Sequence, residues 1–332
     1  MNDWLNEAGG ILVTVAASKG SVPREPGAKM LVRVDDFDGT IGGGHLEHRA
    51  LEIARAMLQQ NAPRRFERFA LGPSLGQCCG GVAWLAFEHA DADQMAVLRA
   101  RRNDDTWRVI TLDGAHDWAL FDAAGSQLAG GANAPAFDRD TATRVIEGEG
   151  GRRWLVDAVL APRAHLMLFG AGHVGAAIVR ALGELPCRVT WVDERDDLFP
   201  LQIPANVTVE ATDSPEALVA NAAPGTSFLV MTHSHALDLR LCHAILSRSS
   251  PDWFGLIGSA TKRSQFEARL RERGVSETRL AGMVCPIGLP GIAGKAPAVI
   301  AASVAAQLLS VWESTLESTP QAASPEEQLE FH

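Results

Sequence analysis

Two cysteines stand side by side in Leu71-Gly72-Pro73-Ser74-Leu75-Gly76-Gln77-Cys78-Cys79-Gly80-Gly81. Glycines on both sides let the backbone turn sharply and come close to a ligand. Backbone amides and any nearby cation lower a thiol's pKa and raise its thiolate fraction. A thiolate carries a persulfide or binds a soft metal. Neighbouring cysteines are poor bidentate ligands for one tetrahedral ion, and a disulfide between them is strained. The pattern predicts one functional thiol, either Cys78 or Cys79, with Gln77 beside it. The bland reading is two small buried residues in a tight turn.

A second chemical motif is Gly170-Ala171-Gly172-His173-Val174-Gly175. It follows an apolar run, opens a helical pattern and precedes Asp193 at the end of the next apolar run, the context of a dinucleotide-binding fingerprint. Gly170 serves the turn, Gly172 lets a phosphate approach, and Gly175 allows close helix packing. The helix start supplies amides and partial positive charge. Asp193 is the expected ribose ligand. His173 adds a bulky titratable group to the loop. The alternative is a fold whose glycines serve packing alone.

Acid–base candidates are His233 and His235 in Met231-Thr232-His233-Ser234-His235-Ala236-Leu237-Asp238. They follow a predicted strand, so they fall on the ligand edge of a parallel sheet. The two histidines with Asp238 are also a candidate metal set. A helix cap with polar, part-exposed histidines is the competing reading. In the first half, Arg24 and Lys29 lie on a loop stiffened by Pro23 and Pro26, and Gly42-Gly43-Gly44-His45 opens a helix. Together they are a candidate anion site.

These residues need elements to hold them. Apolar, β-branched runs predict strands over 11–17, 29–34, 65–71 and 82–88, with a hairpin turn at Asp36-Phe37-Asp38-Gly39. Helical spacing predicts a helix over 45–60. Between 90 and 159 the signal weakens to two strands of a meander, 107–112 and 118–121. From 164 onward strands at 165–169, 188–192, 207–210, 227–231 and 253–257 alternate with helices, the last over 297–313. The fold class is therefore α/β: a Rossmann-like doubly wound parallel sheet over 164–314, preceded by a mixed α+β domain over 1–160. Residues 315–332, rich in Ser, Pro, Glu and Gln, are expected to be disordered.

The chain has 332 residues, net charge −10 and an apolar fraction of 46%. The acidic balance argues against nucleic-acid binding. No apolar run has the length of a membrane span, and the start lacks the features of a signal peptide, so a cytoplasmic location is expected. Five cysteines with no CxxC pair point to neither a disulfide framework nor a zinc finger.

Taken together, the motifs resemble the XdhC/CoxI family of molybdenum-enzyme maturation factors. The resemblance rests on Gly20-Ser21-Val22-Pro23-Arg24 with Gly27-Ala28-Lys29-Met30, on Gly42 to Glu47, and on Gly76 to Gly81. It rests further on Phe169 to Gly175, Thr232 to Asp238, Gly255-Leu256-Ile257-Gly258-Ser259 and Cys285-Pro286-Ile287-Gly288. Their shared order is specific and covers most of the chain. The resemblance implies a non-enzymatic chaperone that binds the molybdenum cofactor, a molybdopterin, during sulfuration by a cysteine desulfurase and passes it to the molybdenum subunit of xanthine dehydrogenase. It implies a homodimer, and contact of Cys78 or Cys79 with molybdenum or a persulfide. Two other readings stand beside it. One is an NAD(P)-dependent oxidoreductase using Gly170, Gly172, Gly175 and Asp193, with His233 or His235 as acid. The other is a scaffold between desulfurase and dehydrogenase.

Overall fold

The computed structural model describes residues 3–5, 9–71, 80–114, 116–131, 133–139, 142–250 and 252–317. The chain divides into two compact units, with the boundary between Ala161 and Pro162.

The first unit is built on two antiparallel five-stranded sheets. In one, β1 (Ile11–Lys19) lies between β2 (Lys29–Val32) and β5 (Val82–His89), with β3 (Phe37–Gly39) and β4 (Arg65–Ala70) at the edges. Ile11, Val13 and Val15 face helix α1 (Gly44–Gln60), meeting Leu46, Ala50, Ile53 and Met57. Leu12 and Ala16 join apolar clusters that include the second sheet. With both faces covered, β1 reads as one unbroken apolar run. The hairpin turn falls earlier than the Asp36–Gly39 stretch: Arg33 N–H donates to Asp36 O at 3.0 Å, and Phe37–Gly39 is already strand.

The weak stretch after residue 90 is well formed. It holds α2 (Ala92–Ala100), β6 (Thr106–Thr111), β7 (Trp118–Asp122), β8 (Gln127–Gly130), β9 (Arg144–Glu147) and β10 (Arg153–Val159). The Asp91 side chain caps α2 by accepting Gln94 N–H at 2.9 Å. The second sheet runs β8-β7-β6-β10-β9.

The second unit carries six parallel strands: β11 (Ala164–Phe169), β12 (Cys187–Asp193), β13 (Val207–Ala211), β14 (Ser227–Val230), β15 (Phe254–Leu256) and β16 (Met283–Val284). Their order, β13-β12-β11-β14-β15-β16, is that of a Rossmann fold. Helices α3 (His173–Leu182) and α8 (Pro297–Glu317) share one core with the sheet. Helices α5 (His235–Leu246) and α6 (Ala260–Glu272) contribute to the other, with α4 (Pro215–Asn221) and α7 (Glu277–Ala281). Helix α8 runs past the expected end at Glu313. Over Pro297–Thr315 it is apolar and long enough to cross a bilayer, yet Val304, Leu308 and Trp312 are buried in the core it shares with α3. The rest of the expected tail lies outside the described residues.

Candidate functional site

In the first unit, three glycine motifs far apart in sequence meet. Gly81 N–H donates to Ser21 O at 3.1 Å, and Leu71 N–H donates to Gly81 O at 2.8 Å. A Cβ on Gly81 would lie 2.4 Å from Ser21 O and 2.6 Å from Lys19 O, so only glycine fits. Gly42, at φ +116°, packs the same way: a Cβ there would lie 2.3 Å from Pro23 Cβ. The Gly20–Arg24 loop is thus wedged between the base of the Cys-Cys loop and the triple-glycine turn. Gly43 and Gly80 face open space, with nothing within 4 Å of an added Cβ. Gln77, Cys78 and Cys79 themselves lie outside the described residues.

Two expectations for this region are corrected. Lys29 is buried, and its ammonium donates to Asp157 Oδ1 at 2.7 Å and Gly27 O at 2.8 Å. Arg108, also buried, donates to Asp157 Oδ2 at 2.9 Å and to Glu88. Burial alone would raise the Asp157 carboxyl; Lys29 and Arg108 overcome it and hold the carboxyl below its usual range. Lys29 is therefore part of a buried charge network, not a phosphate ligand. The triple-glycine turn is also occupied. Glu47 Oε2 accepts the Thr40 hydroxyl and the amides of Ile41 at 3.1 Å and Gly43 at 3.2 Å, while Gly42 N–H donates to Thr40 Oγ1 at 3.0 Å. An anion on the Ile41 and Gly43 amides would have to displace a carboxylate. The capping spacing of Glu47 after the glycines is the signal that sequence reasoning passed over. Arg24 keeps an accessible guanidinium: its side chain is 40% exposed and its partner is the neighbouring Glu25 at 3.0 Å, a pairing that solvent makes cheap to exchange.

In the second unit the fold constrains two of the three fingerprint glycines. Gly170 has φ +123°, and a Cβ there would sit 2.4 Å from Met231 O. A Cβ on Gly175 would sit 2.2 Å from Gly170 O, where α3 presses on the turn. Gly172 has φ −73° and nothing within 4 Å of an added Cβ. The fold therefore explains Gly170 and Gly175 but not Gly172, which opens on space at the start of α3, with His173 exposed beside it.

Asp193 departs from its expected part. Its Oδ2 accepts Ala171 N–H at 2.7 Å and Arg195 Nη2 at 3.0 Å; its Oδ1 accepts Arg195 N–H at 3.1 Å and Nε at 2.8 Å. Four donors fill a carboxylate's acceptor sites. Burial would raise this carboxyl, but Arg195 and the two amides hold it below its usual range. Asp193 braces the glycine loop and has no lone pair left for a ribose. Its neighbour Glu194 is 41% exposed, with Oε1 3.3 Å from His233 Nε2.

The two histidines diverge. His233 lies toward Glu194, whereas the His235 ring packs edge-on against Phe266 at 6.3 Å. Asp238 is buried and accepts Thr232 N–H at 3.0 Å, Thr232 Oγ1 at 2.7 Å and Lys262 Nζ at 2.7 Å. The metal reading of this trio is therefore overturned, and among the described residues no group of three His, Cys, Asp or Glu side chains could hold a metal ion. Buried Cys187, Cys242 and Cys285 all have thiols raised by burial, Cys187 to about 11, which makes them poor nucleophiles.

A small cleft opens at the carboxyl ends of β11, β12 and β14. Phe169, Val192, Asp193, Glu194, Pro215, Thr232, His233, Leu237 and Leu241 line it. Glu194 and Pro215 were missed from the sequence. Glu194 follows directly on the strand-end Asp193.

Comparison with known proteins places these features. The family described as the XdhC Rossmann domain matches residues 166–308, and the XdhC and CoxI family matches residues 4–70. An uncharacterized protein of Escherichia coli K12, YqeB, is 28% identical over 307 residues, 90% of this chain. The chain spans 43% of the length of that relative. A crystal structure described as a xanthine dehydrogenase from Bacillus halodurans superposes with a TM-score of 0.69 at 21% identity, over 96% of this chain and 95% of that one. At that identity the likeness is one of fold.

Proposed function

Because the chain belongs to the XdhC and CoxI family, we propose that it is a maturation factor for xanthine dehydrogenase, one that binds the molybdenum cofactor as cargo. The cofactor is a phosphate-bearing molybdopterin whose metal favours sulfur ligands. The chain shelters it during sulfuration by a cysteine desulfurase and delivers it to the dehydrogenase's molybdenum subunit. We place this work in the reducing cytoplasm, carried out by a homodimer.

The observation that carries the reading is the meeting of Ser21, Gly42 and Gly81. No side chain fits at Gly42 or Gly81, so the backbones of the three motifs lock together. Gly80, with open space around it, leaves approachable backbone beside that junction. Arg24, on the wedged loop, supplies a guanidinium suited to a phosphate. The loop carrying Cys78 and Cys79 springs from the Leu71–Gly81 pairing at the same place. In this reading the chain holds and screens its cargo, and one thiol of the pair contacts molybdenum or a persulfide.

The test is incubation with released molybdenum cofactor, followed by gel filtration and metal analysis. Molybdenum should co-elute with the wild-type chain, and Cys78→Ala or Cys79→Ala should reduce the bound fraction at least several-fold. Absence of molybdenum from the wild-type peak would refute the proposal. A second reading, an NAD(P)-dependent oxidoreductase, is favoured by His233 lining the cleft beside Glu194. It requires turnover of NAD(P)H with a carbonyl substrate that His233→Asn abolishes.

A further inference from the structure

We propose that two copies of this chain pair through the solvent face of α8, antiparallel, about a twofold axis level with Val304. The pairing rests on the homodimer of the proposed function and is independent of the cargo.

Three observations carry it. The first is a helix face without the residues that water favours. Val304 is buried in the core. At about 100° per residue, the opposite side of α8 carries Ala298, Val299, Ala302, Ala306, Leu309 and Ser310. Leu309 is partly buried and the other five are exposed. The outer face of a surface helix normally carries charged and polar residues. Helix α6 does so, exposing Arg269, Arg271 and Glu272. On α8 no charged residue occurs between Pro297 and Trp312. The apolar surface continues onto the preceding loop, where Ile292 is 49% exposed.

The second is that the stem of this loop is fastened to the helix. Gly288 N–H donates to Gln307 Oε1 at 2.9 Å, and Gln307 Nε2 donates back to Gly288 O at 3.0 Å. Leu289 N–H donates to Ser303 Oγ at 2.7 Å. A Cβ on Gly288 would lie 2.6 Å from Ser303 Oγ, so backbone and helix touch there. Ser303 and Gln307 thus serve the loop, and the opposite side of α8 is left to a partner. A surface fixed in advance loses little freedom on binding.

The third is reversal symmetry, and it selects the occupant. Taken in pairs about Val304, Ala302 matches Ala306, Val299 matches Leu309, Ala298 matches Ser310, and Lys295 matches Glu313. The inner pairs are alike in size or polarity, and the outermost pair is opposite in charge. A twofold interface requires that residue i of one copy meet residue j of the other, and the reverse. Antiparallel copies of α8 meet that condition. The central alanines let the two helices approach closely, and Lys295 of each copy faces Glu313 of the other. Both side chains are exposed, and neither has an ion-pair partner among the described residues. An unrelated protein gives no reason for the symmetry, and a bilayer leaves Glu313 unpaired.

The test is sedimentation equilibrium of the full-length chain at rising concentration. A species of twice the 35.4 kDa chain mass is expected. Lys295→Glu and Glu313→Lys should each weaken dimerisation at least tenfold, because each sets two like-charged pairs across the interface. Mixed in equal amounts, the two variants should associate again, since both crossing pairs of the mixed dimer are then opposite in charge. Ala306→Glu should leave a monomer with the circular dichroism spectrum and denaturation midpoint of the wild type. A monomeric wild type would overturn the pairing and the homodimer together, while molybdenum co-elution decides the cargo reading separately. A dimer left intact by both charge reversals and by Ala306→Glu would overturn the α8 surface alone. Failure of the mixed variants to associate would overturn the antiparallel arrangement. Flotation of the wild type with phosphatidylcholine vesicles, lost in Ala306→Glu, would assign the face to a membrane and overturn the proposal.

Discussion

His165, at the start of β11, is held neutral by its surroundings. Burial, with Arg188 adding to it, pushes its imidazole down to about 4. Its Nε2 lies 2.9 Å from Thr190 Oγ1, a contact a neutral ring can make as donor or acceptor. An unfolded histidine titrates near 6.5. Between about pH 6.5 and 4 the unfolded chain therefore binds the extra proton, and stability falls as pH drops through that window. Partial solvent access reduces the effect, leaving about 1 kcal/mol lost between pH 7 and pH 5. His165→Asn should remove that share. Denaturant melts of both proteins at pH 7 and pH 5 measure it, and an equal loss in wild type and variant would refute the assignment.

At the scale of elements, the junction of β1, β5 and the Gly20–Arg24 loop rests on a glycine with no room above it. Gly81→Ala would drive a methyl against the carbonyls of Ser21 and Lys19. The expected cost is about 1–3 kcal/mol, with the base of the Cys-Cys loop displaced from Ser21. Gly80→Ala, one residue away with open space around it, should stay within about 0.5 kcal/mol of wild type. Urea denaturation of the pair reads the difference, and matching midpoints would show that the junction is loose. The same elements show what the sequence could reveal. Strands β11, β12 and β14 were legible because both faces are covered, which writes an apolar run into the chain. Strand β10 was not, because Asp157 interrupts its run, and Asp157 makes sense only beside Lys29, 128 positions away, and Arg108, 49 away. Lys29 was misread as a phosphate ligand for the same reason. The packing roles of Gly170 and Gly175 are local, so spacing disclosed them. The saturation of Asp193 depends on where the Arg195 side chain folds, which spacing does not encode.

The whole molecule carries a net charge of −10, while the proposed cargo is an anion. Its long-range field therefore opposes the cargo's approach, and attraction has to come from a short-range group, Arg24 for the cofactor phosphate. These two contributions respond differently to salt. The Debye length shrinks from about 30 Å at 0.01 M to about 8 Å at 0.15 M ionic strength, which screens the distant charges first and leaves contacts inside the site nearly intact. The association rate of the released molybdenum cofactor should therefore rise about twofold across that range, with the dissociation rate little changed. This is the reverse of a basic nucleic-acid binder, whose affinity falls steeply with salt. Stopped-flow measurement of the chain's tryptophan fluorescence on mixing with the cofactor gives the sign directly. A rate that falls with salt would mean that a local cationic surface governs capture, and the argument from net charge would fail.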